Sequence, residues 1–122
     1  LPVVGAWVAR RFAPTMVYLV RRRAAWTDAL ELERALEGAR RVAEEERPNR
    51  VVWLRSYAVR EDDGSIGSWC LYQAVDPQAL RRHAERAGLP ADAITPVIGR
   101  IVYREDGRNG AGDAAAALSS LH

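Results

Sequence analysis

The chain contains no lysine: all 18 of its basic residues are arginine, and they stand beside 16 acidic residues. This bias, together with abundant alanine, is typical of a GC-rich genome and does not by itself indicate a function. The net charge is only +2, and the arginine runs share the chain with nearly as many acids. A nucleic-acid partner is therefore not expected, because a nucleic-acid interface gathers basic side chains on one face.

Cysteine and long apolar runs are also scarce. The one cysteine, Cys70, excludes an internal disulfide and fits a reducing cytoplasm. No apolar run approaches the roughly 20 residues that a membrane-spanning helix needs, so no membrane partner is expected. The chain also lacks CxxC, HxH and HExxH spacings, a glycine-rich phosphate loop and a serine nucleophile elbow. No common metal or enzyme signature is present.

The length of 122 residues suits one domain with a single core. Residues 1–15 are predicted to be an N-terminal extension and not a secretory signal, because Arg10 and Arg11 follow the apolar stretch instead of preceding it. Residues 106–122 are rich in glycine, alanine and serine, which predicts a flexible tail. The folded domain is therefore expected over residues 16–105.

Hydrophobic spacing predicts six elements in the order β-α-β-β-α-β. The first helix is predicted over residues 28–46, with a variant capping box that begins at Asp28. The second helix is predicted to begin after Asp76 and to end at a left-handed Gly88. The four strands are predicted over residues 16–23, 51–59, 66–75 and 97–103.

This element order is that of the α+β ferredoxin-like fold, βαββαβ, in which two helices cover one face of a four-stranded antiparallel sheet. The second and third predicted strands carry apolar or aromatic residues at both odd and even positions, so both faces of the sheet favour burial. Two helices leave one face bare, and a bare apolar face usually marks an interface. The sequence therefore predicts a homodimer that packs sheet on sheet, as in dimeric α/β barrels.

The candidate metal ligands are His83 and Cys70. His83 borders the inner stripe of the second helix, and an imidazole can bind a metal or act as an acid or base near neutral pH. Cys70 together with His83 would supply half of a soft metal site. The structural alternative is a helix-edge histidine bonded to a carbonyl or carboxylate, beside a cysteine that packs as a small apolar residue.

A second candidate set is aromatic and basic. Trp53, Arg55 and Tyr57 occupy alternate positions of the second strand and are predicted to share one face, where Tyr72 of the third strand joins them. An arginine flanked by aromatic rings can hold a carboxylate or another anion. A dimer interface favours the same residue types, so ligand binding and dimerisation both remain open for this set.

Four segments carry a family resemblance: residues 18–20 (Tyr-Leu-Val), 53–57 (Trp-Leu-Arg-Ser-Tyr), 69–74 (Trp-Cys-Leu-Tyr-Gln-Ala), and 83–94, which begins His-Ala-Glu-Arg-Ala-Gly-Leu-Pro. They resemble a family of small bacterial proteins of unknown function, one actinobacterial member of which is a nickel-binding protein. The resemblance extends over nearly the whole predicted domain. It implies a ferredoxin-like fold, a homodimer and a site for nickel or another divalent metal.

The chain departs from the family pattern at three positions that bear on metal binding. Many relatives carry Glu, His and Glu where this chain has Arg21, Arg55 and Gln73. An arginine is permanently charged and is not expected to coordinate Ni²⁺. Within this resemblance, Arg55 therefore favours an anion or an interface over a metal.

The sequence leaves two functions open. The first is a small cytoplasmic binding protein without catalysis, for nickel or another divalent metal, with His83 as the leading ligand. The second is a cofactor-free enzyme or small-molecule binder of the dimeric α/β-barrel type. It would use an open-face cleft lined by Trp53, Arg55, Tyr57 and Tyr72, with His83 as the acid–base group.

Overall fold

The computed structural model describes residues 15–46 and 51–107. The elements are β1 (Met16–Trp26), α1 (Ala29–Glu46), β2 (Val51–Arg60), β3 (Ile66–Ala74), α2 (Pro77–Ala87) and β4 (Ala93–Pro96). Neither helix in these two ranges is long and apolar enough to cross a membrane. Nearly all of the predicted N-terminal extension and most of the predicted tail lie outside the described residues, so both remain predictions.

The four strands form one antiparallel sheet in the order β2-β3-β1-β4. β2 and β4 are therefore the two edges, while β1 and β3 form the centre. Both helices pack on the same face, α1 against β1 and β2, and α2 against β2 and β3. The predicted ferredoxin-like α+β fold is confirmed.

Side-chain caps set where each helix begins. Asp28 Oδ1 accepts a hydrogen bond from the backbone N–H of Glu31 at 2.9 Å, and the Glu31 carboxylate accepts one from Thr27 at 2.6 Å. Asp76 caps α2 in the same way, and Gly88 ends that helix in the left-handed region with φ 68°. These limits decide which side chains of α2 are buried: Ala79, Leu80, His83 and Ala84.

The main core lies between the helices and the covered face of the sheet. A smaller cluster of Trp26, Leu32 and Ile66 lies nearer α1. Burial of these apolar side chains fixes the register of the strands, because a slip of one residue would turn each of them to the opposite face. The buried members of the main core are Tyr18, Val20, Val51, Cys70, Tyr72, Ala74, Ala79 and Leu80.

A carboxylate that follows β2 holds the far end of β1. Glu61 accepts two hydrogen bonds from Arg21 Nη2, at 2.8 and 2.9 Å, and a third from the backbone N–H of Ala24 at 2.8 Å. Ala24 has φ 47° and lies where the register of β1 against β3 shifts. Gly67 leaves room for this contact, because a Cβ at that position would collide with Glu61 Oε2 and Arg21 Nη1.

The last strand differs from its prediction. The sequence predicts a strand over residues 97–103, whereas β4 spans Ala93–Pro96. The ladder between β4 and β1 ends where the backbone N–H of Val97 donates to the Val17 carbonyl at 2.9 Å. Because β1 begins at Met16, the chain beyond this point soon has no β1 backbone opposite it. The β-prone segment 97–103 therefore leaves the sheet.

We predict that Gly67→Ala lowers the free energy of unfolding by about 1–3 kcal/mol, the usual cost of forcing an extra methyl into a filled space. The matched control is Gly38→Ala, because a Cβ at Gly38 in α1 meets nothing within 4 Å. That control should gain about 0.5–1 kcal/mol from the better helix propensity of alanine. Urea unfolding of both variants measures the difference, and equal stabilities would contradict the packing described around Glu61.

Candidate functional site

The strand register divides the candidate residues between two faces of the sheet. Tyr18 lies opposite Tyr72 on the face that the helices cover, whereas Arg21 lies opposite Trp69 on the other face. We call this second face the open face, because neither α1 nor α2 packs on it. Directly opposed residues of antiparallel strands share a face, so the register alone assigns a side to each candidate.

A bulge in β2 separates residues that the sequence predicts to lie together. Trp53 lies opposite Tyr72, whereas Arg55 lies opposite Leu71, the preceding residue of β3. Consecutive residues of a strand point to opposite faces, so Trp53 and Tyr72 lie on the helix side while Arg55 and Tyr57 lie on the open face. The prediction that Trp53, Arg55 and Tyr57 share one face is wrong, because the bulge shifts the alternation by one residue.

His83 lies in the interior, deeper than the helix-edge position that its spacing predicts. Only 1% of its surface is exposed, and its ring meets the Tyr72 ring edge-on with 5.3 Å between the centroids. Burial raises the pKa of Tyr72 to about 12, so its hydroxyl stays protonated at neutral pH. Because the sheet lies between His83 and the open face, His83 does not reach a ligand bound there.

Arg22 is a buried charged residue that the sequence analysis did not identify as a candidate. Its side chain is on the helix side with 2% of its surface exposed, and Nη1 donates to Cys70 Sγ at 3.1 Å. The Ser68 hydroxyl lies 3.4 Å from the same sulfur. Arg22 forms no ion pair with a carboxylate of the described residues. The sequence does contain a signal for this burial. Arg22 lies four residues after Tyr18 in β1, and strand residues at even spacing share a face.

The residues around Cys70 do not fit a site for a divalent cation. A permanently charged guanidinium lies 3.1 Å from the Cys70 sulfur and repels a second cation. Within residues 15–46 and 51–107, no group of three or more His, Cys, Asp and Glu side chains is arranged to hold a metal ion. His83 and Cys70 both lie on the helix side, but their role as metal ligands remains a prediction.

Arg55 and Tyr57 contact two carboxylates on the open face. The Arg55 guanidinium lies 3.8 Å from the Glu105 carboxylate and 5.7 Å from the centre of the Tyr57 ring. The Tyr57 hydroxyl donates to Asp106 Oδ2 at 2.5 Å. This hydrogen bond raises the pKa of Tyr57 above its ordinary value, because it stabilises the protonated phenol. Arg55 and Tyr57 can therefore bind carboxylate groups.

The three positions that depart from the family pattern all lie on the open face. Arg21 is ion-paired with Glu61 and stacks over the Trp69 ring at 4.8 Å from its centre. The hydrogen bonds from Arg21 hold the pKa of Glu61 below its ordinary value. Gln73 lies on the same face as Arg21, and Arg55 lies there on the neighbouring strand. His83 is on the opposite side of the sheet, so one site does not include both His83 and these positions.

Comparison with known proteins places this chain in a family. A family model described as nickel responsive protein SCO4226-like matches residues 18–97. The crystal structure of SCO4226 from Streptomyces coelicolor A3(2) matches with a TM-score of 0.55 and 24% identity, over 70% of this chain and 99% of that chain. At this identity the likeness establishes the shared fold alone, and no curated protein matches the chain. The chain belongs to the SCO4226-like family of nickel responsive proteins.

Proposed function

We propose that the protein is a homodimeric binding protein that takes a small carboxylate-bearing ligand on its open face. The observation that carries this proposal is the pair Arg55 and Tyr57, which already contacts two carboxylates of its own chain. Guanidinium and phenol groups bind carboxylates through charge-assisted hydrogen bonds. In this proposal Glu105 and Asp106 occupy the positions that the carboxylates of a ligand would take.

The contacts made by Glu105 and Asp106 are easy to exchange for those of a ligand. Arg55 and Glu105 are both well exposed and lie 3.8 Å apart, which makes a weak, solvent-screened ion pair. Asp106 belongs to a stretch without helix or strand after β4. A ligand with two carboxylates would replace both contacts at once, and its entry would require only this stretch to move.

The apolar part of the open face supports the homodimer in this proposal. Trp69 of β3 lies on this face with 38% of its surface exposed, and Leu54, at the β2 bulge, is 46% exposed. Exposed apolar surface of this kind favours association, and two copies related by a two-fold axis would cover each other's faces. The ligand would then lie between two sheets. A cytoplasmic setting is part of the proposal and agrees with the free thiol of Cys70.

We do not assign catalysis to this surface. The enzyme hypothesis uses His83 as the acid–base group of an open-face cleft, but His83 is buried on the helix side. A general base must come within hydrogen-bond reach of the proton that it abstracts, directly or through one water. Binding by Arg55 and Tyr57 does not need such a group, so a binding protein is the better-supported function.

Nickel binding is the second candidate, and the family description is the observation that favours it. His83 and Cys70 are the metal ligands that the sequence predicts. The Arg22 guanidinium beside Cys70 disfavours a cation there. We therefore derive no nickel chemistry from this site and leave the second candidate to direct measurement.

We predict that removing the chain's own carboxylates strengthens binding of an added one. In the double variant Glu105→Gln with Asp106→Asn, Arg55 and Tyr57 lose their competing partners. Succinate, a small dicarboxylate, should then bind roughly tenfold more tightly than to the wild type, the equivalent of one charged hydrogen bond. Nuclear magnetic resonance shifts of the Arg55 and Tyr57 side chains during a succinate titration measure this affinity.

Two further variants make the succinate titration decisive. Adding Arg55→Met to the double variant should abolish the gain, because the guanidinium is removed while similar apolar bulk remains. Adding Arg81→Met, at an exposed position of α2, should leave the gain unchanged. Equal succinate affinity in the wild type, the double variant and both triple variants would contradict the proposed site.

We predict that His83 contributes nothing to the binding of Ni²⁺ by this chain. Calorimetric titration of tag-free protein with Ni²⁺ should give the same isotherm for the wild type and for His83→Ala, because Arg22 opposes a cation beside Cys70. His122→Ala is the matched control, since His122 is the other histidine of the sequence. Saturable binding at micromolar Ni²⁺ that His83→Ala abolishes and His122→Ala preserves would establish the nickel candidate instead.

A further inference from the structure

Trp69 is an aromatic residue of the open face that lies beside the carboxylate-binding pair Arg55 and Tyr57. It stands directly opposite Tyr57 in the ladder between β2 and β3, and Leu71, two residues further along β3, stands directly opposite Arg55. The Cβ atoms of directly opposed residues in an antiparallel pair lie about 5 Å apart. The carboxylate-binding pair therefore has an aromatic and an aliphatic side chain immediately beside it.

A salt-bridged arginine on the next strand holds the Trp69 ring in place. Arg21 stands opposite Trp69 in the ladder between β3 and β1, and its guanidinium carbon lies 4.8 Å from the ring centre. Arg21 is itself fixed, because Glu61 accepts two hydrogen bonds from its Nη2 at 2.8 and 2.9 Å. A cation over an aromatic face makes an attractive contact. Trp69 therefore keeps its position while 38% of its surface stays exposed.

We propose that the ligand of the open face is an aromatic carboxylate, a molecule in which a planar ring carries the carboxylate groups. The inference rests on the carboxylate binding of the proposed function and names the body of the molecule that bears these groups. With a carboxylate on Arg55 and Tyr57, that body lies over Trp69 and Leu71, one strand further into the sheet. Trp69 favours a planar ring there, because offset or edge-on contact between aromatic rings adds attraction beyond the apolar area that it buries.

The distribution of charge and apolar surface supports a ligand of this mixed character. Leu19 and Leu71, opposed in the ladder between β1 and β3, are half-buried and give the open face an apolar floor. Arg21 is occupied by its close ion pair, whereas Arg55 has an exposed partner, Glu105, at 3.8 Å. The exchangeable charge therefore lies at the β2 edge and the apolar surface lies beside it. An aromatic carboxylate contacts both, while a short aliphatic one leaves the apolar floor uncovered.

Calorimetric titration of the double variant Glu105→Gln with Asp106→Asn, in the full chain, compares three probes. Isophthalate carries two carboxylates on an aromatic ring, its ring-hydrogenated analogue carries them on a saturated ring, and succinate carries them without a ring. We expect isophthalate to bind roughly fivefold more tightly than the hydrogenated analogue, the factor that contact between two aromatic rings provides. Adding Trp69→Leu should abolish this preference and leave succinate binding unchanged. Adding Trp69→Phe, which keeps an aromatic ring, should retain most of the preference.

Succinate separates failure of this inference from failure of the proposed function. If succinate binds in a manner that depends on Arg55, but isophthalate and its hydrogenated analogue bind equally, the aromatic ligand is wrong and the carboxylate site stands. If none of the three probes binds in a manner that depends on Arg55, both are wrong. A preference for isophthalate that persists unchanged in Trp69→Leu would also overturn the inference.

A second measurement covers the case in which Trp69→Leu does not fold. In the double variant, the nuclear magnetic resonance signal of the Trp69 indole N–H should shift on addition of isophthalate, because a stacked aromatic ring imposes its ring current on its neighbour. The hydrogenated analogue has no ring current and should shift this signal far less. An indole signal that does not move at saturating isophthalate would refute the contact with Trp69.

Discussion

Two helices cover only one face of a four-stranded sheet, and every candidate residue of this protein falls on one side or the other of that division. The helix side holds the core, with Tyr72, His83 and Arg22 closed off from solvent. The open face holds Arg21, Arg55 and Tyr57, with Trp69 exposed beside them. Because the sheet separates the two sets, a function needs residues from one side only, and the accessible side is the open face.

Arg21 and Arg22 illustrate this division at one step of the chain. The strand turns consecutive side chains to opposite faces, so Arg21 pairs with Glu61 on the open face while Arg22 donates to Cys70 in the interior. Burying the Arg22 guanidinium without an ion pair to a carboxylate of the described residues lowers the free energy of unfolding. Its position next to the one cysteine also makes the helix side unfavourable for a cation, which directs attention away from His83 and toward Arg55.

The sequence predicts most of this fold, because the signals involved are local. Asp28, Asp76 and Gly88 mark helix ends through their own side chains or backbone freedom, and the β-α-β-β-α-β order of elements predicts the ferredoxin-like sheet. The β2 bulge carries no such signal, so the sequence groups Trp53 with Arg55. The position of β4 depends on where β1 begins, and the contacts of Glu105 and Asp106 depend on the chain returning from β4 to β2, the opposite edge of the sheet. Both depend on contacts between residues far apart in the sequence, which hydrophobic spacing does not predict.

We propose that the open face is the surface through which this protein binds its ligand and a second copy of itself. Isotope-filtered nuclear Overhauser spectroscopy on a mixture of ¹³C-labelled and unlabelled copies detects contacts between chains directly. We expect intermolecular contacts that involve the side chains of the open face, including the Trp69 ring. Intermolecular contacts that involve only the outer surfaces of α1 and α2, or none at all at millimolar concentration, would contradict it.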